Sequence, residues 1–175
     1  KDLVWKVLVR DGRRCMLLAQ NNVVEHSFHT ERVEVNWNSC EMRKWLNRDF
    51  LNIAFDTTQR GKISRKRIKN LDNTKYGTKG GKDTDDKVFL LSINEAVRYF
   101  SSNKARQASP TLYALYKGAD VSNGACNWWL RSPGYFKYGA ATVHDDGSVS
   151  YSGAEPDVGF ITVRPALWLD ISQSY

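Results

Sequence analysis

Two apolar blocks near the C-terminus constrain the fold of this chain more than any other feature. Residues 128–134 read Trp-Trp-Leu-Arg-Ser-Pro-Gly and residues 163–169 read Val-Arg-Pro-Ala-Leu-Trp-Leu, so each combines large apolar side chains with one Arg and one Pro. We expect both blocks to be core segments in which each indole N–H and each guanidinium finds a hydrogen-bond partner. The side chains to which this applies are Trp128, Trp129, Trp168, Arg131 and Arg164.

The segment between the blocks, residues 135–162, has the opposite character. It is rich in Tyr, Ser, Gly, Asp and His, the composition of a recognition surface in which rigid aromatics supply area and small polar groups supply hydrogen bonds. A loop-rich end of a β domain has a similar composition and is the alternative interpretation. The predicted ligand-binding side chains are Tyr135, Phe136, Lys137, Tyr138, Thr142, His144, Asp145, Ser148, Ser150, Tyr151, Glu155 and Asp157.

The middle of this segment has the pattern of a β-hairpin. A two-residue turn at Asp146-Gly147 would point Val143 and Val149 to opposite faces, whereas a three-residue loop with Gly147 in the left-handed conformation pairs them. We favour the three-residue loop because the buried face sets the register. It predicts an inner face of Ala141, Val143, Val149 and Tyr151. It predicts an outward polar row of Thr142, His144, Ser148 and Ser150.

The rest of the chain contains strands at both ends and helices between them. Residues 3–9 and 15–19 predict a hairpin around Asp11-Gly12, and residues 88–91 predict a buried strand. The predicted helix signals are Asn38 with Glu41 before a helical pattern that runs from Met42 to Phe55, Ser92 with Glu95 before a helix to Phe100, and Ser109-Pro110 before a helix that ends at Gly118. This segregation favours one α+β domain over residues 1–175, with two or three helices, short antiparallel strands and long loops.

The net charge of +7 is concentrated in residues 60–82, which carry nine basic side chains and one acid, Asp72. We expect this segment to be a long exposed loop. A basic patch is one feature of nucleic-acid binding, but Tyr76 is the only aromatic residue in the segment, so we expect no nucleic-acid partner. No stretch approaches the ~20 apolar residues that cross a bilayer, so we expect no membrane insertion.

The residues that could carry chemistry form no recognised site. The three cysteines (Cys15, Cys40 and Cys126) are an odd number without Cys-x-x-Cys spacing, and buried thiols are the favoured interpretation. A Cys126–His144 pair lacks an orienting third group. The acids Asp145, Asp146, Glu155 and Asp157 match no calcium loop, and His26 and His29 lack a ligand set. We therefore expect no catalytic activity, cofactor or metal.

Several short motifs accompany the two apolar blocks. They are Trp45-Leu46-Asn47, residues 87–92 (Lys-Val-Phe-Leu-Leu-Ser), Thr111-x-Tyr113-Ala114, Gly118-Ala119 and Gly147-x-Val149. With the blocks they resemble, over roughly residues 3–169, a domain of unknown function common in gut bacteria and their phages. That family is similar to the formylglycine-generating-enzyme variety of the C-type-lectin fold, and several members resemble the variable proteins of diversity-generating retroelements.

The resemblance implies a C-type-lectin-like scaffold that presents residues 135–162 as a diversified surface. Enzymes of that fold oxidise a cysteine with a pair of cysteines near the C-terminus, and only Cys126 lies there in this chain. We therefore predict a receptor- or adhesion-type module that binds a protein or a surface glycan at a cell, virion or other extracellular surface. The alternatives are a metal-dependent carbohydrate binder or an enzyme on the same fold and, third, nucleic-acid binding through residues 60–82.

Overall fold

The computed structural model describes residues 3–172, in which two five-stranded sheets frame the core. The strands are β1 (Trp5–Asp11), β2 (Arg14–Ala19), β3 (Val24–Glu25), β4 (Ile63–Ser64), β5 (Lys66–Ile68), β6 (Thr84–Asp86), β7 (Val88–Phe89), β8 (Trp128–Pro133), β9 (Ala140–Val143), β10 (Val149–Ala154), β11 (Thr162–Val163) and β12 (Ala166–Asp170). The first sheet has the order β1-β2-β12-β4, with β7 also paired to β12, and the second has the order β10-β9-β8-β11-β3. A separate β5-β6 pair completes the strands of the described residues.

The helices are short and lie between β3 and β8. They are α1 (Glu41–Trp45), a π-helical turn (Leu46–Phe50), α2 (Leu51–Ala54), α3 (Thr57–Lys62), α4 (Ile93–Arg98), α5 (Asn103–Arg106) and α6 (Leu112–Lys117). Strands make up 31% and helices 21% of the residues, so the protein is α+β with more strand than helix. The expectation of two or three helices is wrong, because side-chain caps at Asp56 and Ser102 start two short helices that the hydrophobic pattern does not indicate.

The predicted N-terminal hairpin and the predicted Ser92–Glu95 capping box are both confirmed. The N-terminal hairpin pairs Trp5 with Ala19 and Asp11 with Arg14. Ser92 and Glu95 form the predicted capping box, in which each side chain accepts a hydrogen bond from the backbone N–H of the other residue. These signals are local, so they do not depend on the rest of the fold.

Two predicted helix starts are wrong. The cap of α1 is Cys40, whose Sγ accepts a hydrogen bond from the backbone N–H of Arg43, and the Glu41 carboxylate instead accepts from Thr30 N. Helix α6 begins at Leu112 behind a Thr111 cap rather than at Ser109-Pro110. Its predicted end is confirmed, since Gly118 takes a left-handed φ of 98° there.

The two apolar blocks lie in the core as β8 and β12. Trp128 and Trp129 are fully buried, and the Trp129 indole donates to the carbonyl of His26 at 2.8 Å. The Trp128 indole N–H has no partner among the described residues, contrary to expectation, and the ring faces the Arg164 guanidinium at 5.1 Å. Trp168 is only half-buried and lies beneath the Lys66 ammonium.

Both arginines of the blocks are buried, and each guanidinium has the hydrogen-bond partners that the sequence predicts. Arg131 bonds to the Leu90 carbonyl and to the carboxylate of Glu95. Among residues 3–172, Arg164 has three carbonyl partners and no carboxylate partner, and burial lowers its pKa to about 10. The two side chains therefore join the ends of separate elements from within the core.

The basic segment 60–82 is not the exposed loop that its charge predicts. It contains the end of α3 and the strands β4 and β5, and Ile63 and Ile68 are buried. Arg67 pairs with Asp85 across the β5-β6 pair, and Lys79 pairs with Asp72. No helix within residues 3–172 has the length and apolarity needed to cross a membrane.

Candidate ligand-binding site

The hairpin in the predicted variable segment has the expected register. Val149 pairs with Val143, Ser150 pairs with Thr142, and Gly147 has a left-handed φ of 82° at the end of the three-residue loop. A β-carbon at Gly147 would lie only 1.8 Å from the Asn103 carbonyl oxygen, so both the conformation and the space require glycine.

The predicted outward row is wrong at Thr142, which is buried. Strand β9 lies between β8 and β10, and Thr142 faces Trp129 across the β8–β9 pair. The Trp129 ring packs against Phe28, so this face is covered by core aromatics rather than by water. The opposite face, which carries Trp128 and Val143, is covered as well, since both are fully buried. Thr142 is therefore a core residue and is not available to a ligand.

The residues around the hairpin loop lie far from the aromatic part of the candidate site. The aromatic turn and the hairpin loop lie at opposite ends of β9, whose four extended residues span ~13 Å. The backbone of the loop is bound by neighbours, because Asp145 N donates to Asn127 and Arg106 donates to the Gly147 carbonyl. The loop carries the exposed His144 and the half-buried Asp145 and Ser148. The twelve predicted site residues are thus not one patch.

Ser150 and Tyr151 make contacts that stabilise the scaffold. The Ser150 hydroxyl accepts a hydrogen bond from Gly153 N at 3.1 Å. The half-buried Tyr151 side chain packs against the core, as its place on the inner face predicts, and its carbonyl accepts a hydrogen bond from Asn73. Both residues therefore contribute to the fold around β10.

Four aromatic rings form a connected cluster at the β8–β9 turn. Tyr135 packs edge-to-face on Tyr76 at 4.9 Å and on Phe136 at 4.8 Å, and Phe136 is stacked on Tyr138 at 5.1 Å. Tyr135 is 54% exposed and Phe136 is 51% exposed, which agrees with the prediction for these rings. We call Tyr76, Tyr135, Phe136 and Tyr138 the aromatic cluster.

The backbone beneath the cluster is tightly held. Gly134 N donates to the Gly139 carbonyl, Tyr135 N donates to the Ser152 carbonyl, and both distances are close to 3 Å. A β-carbon at Gly134 would lie 2.5 Å from the Ser152 carbonyl oxygen, so the turn approaches β10 more closely than another residue permits. Residues 134–139 therefore form a short turn, fixed by main-chain hydrogen bonds, that exposes Tyr135 and Phe136, whereas Tyr138 is half-buried beneath Phe136.

Tyr76 is a site residue that the sequence did not indicate. Its position depends on Asn73, which is buried and donates at 2.8 Å to the carbonyls of both Pro133 and Tyr151. The Asn73 side-chain oxygen accepts hydrogen bonds from Lys75 N and Tyr76 N. One amide thus ties the loop that carries Tyr76 to the two strands beneath the cluster. The only sequence signal is the isolated Asn and Tyr within a basic, Gly-rich segment.

A shallow cleft of about 320 Å³ adjoins the cluster. Its lining residues are Glu34, Asn36, Tyr76, Gly77, Thr78, Lys79, Tyr135 and Lys137. The Lys137 ammonium lies 4.0 Å from the Glu34 carboxylate, and the Lys75 ammonium lies over the Tyr76 ring. The cleft therefore combines an aromatic wall with charged and amide groups that can donate and accept hydrogen bonds.

The predicted site acids Glu155 and Asp157 are paired with one arginine. Arg32 contacts the Glu155 carboxylate at 2.6 Å and the Asp157 carboxylate at 2.9 Å, and the hydrogen bond with Asp157 raises the pKa of Arg32. Within residues 3–172, no group of three His, Cys, Asp or Glu residues could hold a metal ion. The carboxylates considered for calcium are therefore not gathered into a site.

The three cysteines are free and buried, as predicted. Burial raises the pKa of Cys40 to about 12 and that of Cys126 to about 11. Because the thiolate is the reactive form, the thiols of Cys40 and Cys126 are poor nucleophiles at neutral pH.

The comparisons with known proteins give a family and no function. Residues 13–171 match the model of a domain of unknown function (DUF6273). No curated protein and no solved structure matches the chain.

Proposed function

The chain belongs to the DUF6273 family, and from this premise we propose that it is a non-catalytic ligand-binding module whose contact surface is the aromatic cluster with its adjoining cleft. The observation that carries the proposal is the exposure of Tyr135 and Phe136 on a braced backbone. Large aromatics exposed in this way lose apolar hydration when a partner covers them, and such residues dominate binding energies at interfaces.

The packing of the rings on one another supports the proposal. Each edge-to-face or stacked contact contributes ~0.5–1.5 kcal/mol, so the rings are held in place before a ligand arrives. Pre-organised side chains lose little conformational entropy on binding. The hydrogen bonds of Asn73 also hold the loop of Tyr76 in place. Tyr76 lies outside the predicted segment 135–162 and enlarges the proposed contact surface.

The scaffold that we propose is C-type-lectin-like, as the motif resemblance implies, and the turn 134–139 is the part suited to diversification. The aromatic side chains of this turn project from a backbone fixed by main-chain hydrogen bonds, so their identity can change without breaking those bonds. Thr142 is a poor candidate for variation because it is buried. The diversified surface is therefore narrower than residues 135–162.

The ligand class is a protein or a surface glycan, met at a cell, virion or other extracellular surface. Aromatic rings with nearby amide and charged groups suit both, since both offer apolar patches and hydrogen-bonding groups. The paired state of Glu155 and Asp157 and the dispersed acids argue against a calcium-dependent sugar site. The raised pKa values of Cys40 and Cys126 argue against thiol catalysis by these two residues.

The test is a triple variant, Tyr135→Ala, Phe136→Ala and Tyr138→Ala, assayed against a glycan array and a library of displayed surface proteins. We expect each lost ring to weaken binding by ~2 kcal/mol or more, so the triple variant should lose every ligand that the parent binds. The variant removes all three ring contacts of the cluster, so we expect it to lose ~1.5–4.5 kcal/mol of folding free energy, which lowers the melting temperature by roughly 3–18 °C.

The matched control is Phe160→Ala, which removes an exposed aromatic ring outside the cluster. The control should retain the ligand with unchanged affinity. A triple variant that still binds the parent's ligand would refute the proposed surface. A triple variant that unfolds would show that these rings are core residues.

A further inference from the structure

Helix α6 presents its apolar face to solvent rather than to the core. Leu112, Tyr113, Leu115 and Tyr116 are exposed, with Leu112 at 70% and Tyr116 at 85%, and only Ala114 is buried. At ~100° per residue the four exposed side chains cover an arc of about 160°, and Ala114 lies opposite the centre of that arc. A surface helix of a monomer normally has the reverse orientation.

The helix is not a loosely attached segment. The Thr111 hydroxyl donates to the Val23 carbonyl, and Thr111 N donates to the Asn22 carbonyl, so the first turn is tied to the start of β3. Gly118 closes the last turn, and Ala119 N donates to the Ala114 carbonyl. The hydrogen bonds of Thr111 therefore anchor the helix to the rest of the protein, and the Gly118 cap ends it.

The exposed arc is large enough to form half of an interface. Scaled by their exposed fractions, the four side chains present on the order of 500 Å² of mostly apolar surface. Two such faces together would bury ~1,000 Å², the size at which specific protein interfaces begin.

The charge distribution indicates what covers the arc. Residues 107–127, the stretch that contains α6, include one cation, Lys117, and one anion, Asp120, so this stretch is neutral in a chain of net charge +7. Two copies can therefore approach through this face without the repulsion that their basic segments would impose. A two-fold interface places the same patch of both copies in contact, which an apolar patch without net charge permits, and homodimer interfaces are the more apolar class.

We propose that α6 is a homodimer interface in which the exposed faces of two copies pack on each other. The two surfaces of the protein lie at different edges of one sheet, since α6 packs on β3 whereas Tyr135 N bonds to Ser152 of β10. A dimer through α6 thus leaves both aromatic clusters free. Two linked copies would bind a repetitive surface with an avidity gain of ~10²–10⁴.

The first experiment is sedimentation equilibrium of the parent and of a Leu112→Lys, Tyr116→Lys double variant. We expect the parent to dimerise with a micromolar Kd and the double variant to weaken dimerisation by at least ~100-fold. The matched control is Ile53→Lys, because Ile53 is also 85% exposed but lies far from α6 in sequence, on α2. The control should dimerise like the parent.

A second variant introduces no charge into the apolar arc. Tyr116→Cys introduces a surface thiol into a protein whose three cysteines are buried, so a short bismaleimide should cross-link it into dimers. Ile53→Cys should remain uncross-linked.

A parent that is monomeric at all concentrations would overturn the proposal and leave the arc for another protein. Equal dissociation by Ile53→Lys, or equal cross-linking of Ile53→Cys, would overturn it too. Neither result bears on ligand binding by the aromatic cluster, which the triple alanine variant tests separately.

Discussion

Replacing Asn73 with alanine should destabilise the protein and release Tyr76 from the aromatic cluster. The substitution removes hydrogen bonds to the carbonyls of Pro133 and Tyr151 and from the amides of Lys75 and Tyr76. At ~1 kcal/mol for each bond, and more where a carbonyl stays buried without a partner, the loss is about 3–4 kcal/mol. For a domain of this size, that lowers the melting temperature by roughly 10 °C.

The assay combines denaturant unfolding with amide hydrogen exchange. In Asn73→Ala we expect the amides of Lys75 and Tyr76 to lose their protection, because both donate to the missing side chain. Asn38→Ala is the matched control, since Asn38 is exposed and its side chain makes no hydrogen bond within residues 3–172. Equal stability of the two variants, or unchanged exchange at Lys75 and Tyr76, would refute this reasoning.

The isosteric variant Asn73→Asp separates the donors from the acceptor. A carboxylate would still accept from the two amides, but it would face two carbonyl oxygens in a buried position. Burial and these carbonyls should raise the folded-state pKa of the new carboxyl above its unfolded value. The destabilisation should therefore be complete above the folded-state pKa and should diminish as the pH falls through it, when the protonated acid can donate.

Three further predictions concern the hairpin and the basic segment. Val149→Asp should lower the free energy of unfolding by about 3 kcal/mol, because Val149 packs against the core. Ser150→Asn should lower it by ~1 kcal/mol or less. Similar losses of stability in thermal melts of the two variants would contradict the assignment of Val149 to the inner face. Gly147→Ala should destabilise the protein by ~3 kcal/mol or more, because the new β-carbon would clash with the Asn103 carbonyl. Gly12→Ala is the control: Gly12 also has a positive φ but open space around it, so this change should cost only about 1 kcal/mol. Equal urea midpoints for the two variants would argue against the clash. DNA binding through residues 60–82 should be weak and should vanish near physiological salt in a fluorescence titration, and a salt-resistant, sequence-selective complex would reverse that ranking.

The features that could be predicted from the sequence are those set by local rules. The Ser92–Glu95 capping box, the left-handed Gly118 and the three-residue loop at Gly147 each depend on a few neighbouring residues. The exposure of Tyr135 and Phe136 also followed, because aromatics next to a Pro-Gly turn have little nearby core to fill.

The features that were missed depend on contacts between distant segments. Thr142 is buried because β9 is a central strand. The alternation of apolar and polar residues in one hairpin does not predict the order of the strands in the sheet. Asn73 reaches Pro133 and Tyr151 across 60 and 78 residues. No periodicity or spacing encodes such a contact.

The basic segment was misread for a different reason. The segment has many charged and few apolar residues, so its sequence shows no alternation of apolar and polar positions that would indicate a strand. Ile63 and Ile68 are nevertheless buried. Ion pairs with Asp85 and Asp72 stabilise positions where the charge pattern suggested solvent alone. Composition describes the average environment of such a segment and not the few side chains that anchor it.

The most direct test of the binding surface is hydroxyl-radical footprinting of the parent with and without a ligand recovered from the screen. We predict that ligand lowers the oxidation of Tyr76, Tyr135, Phe136 and Tyr138 and leaves His144 and Phe160 unchanged. Protection at His144 and Ser148 with unaltered oxidation of the four rings would contradict the account and place recognition at the hairpin loop.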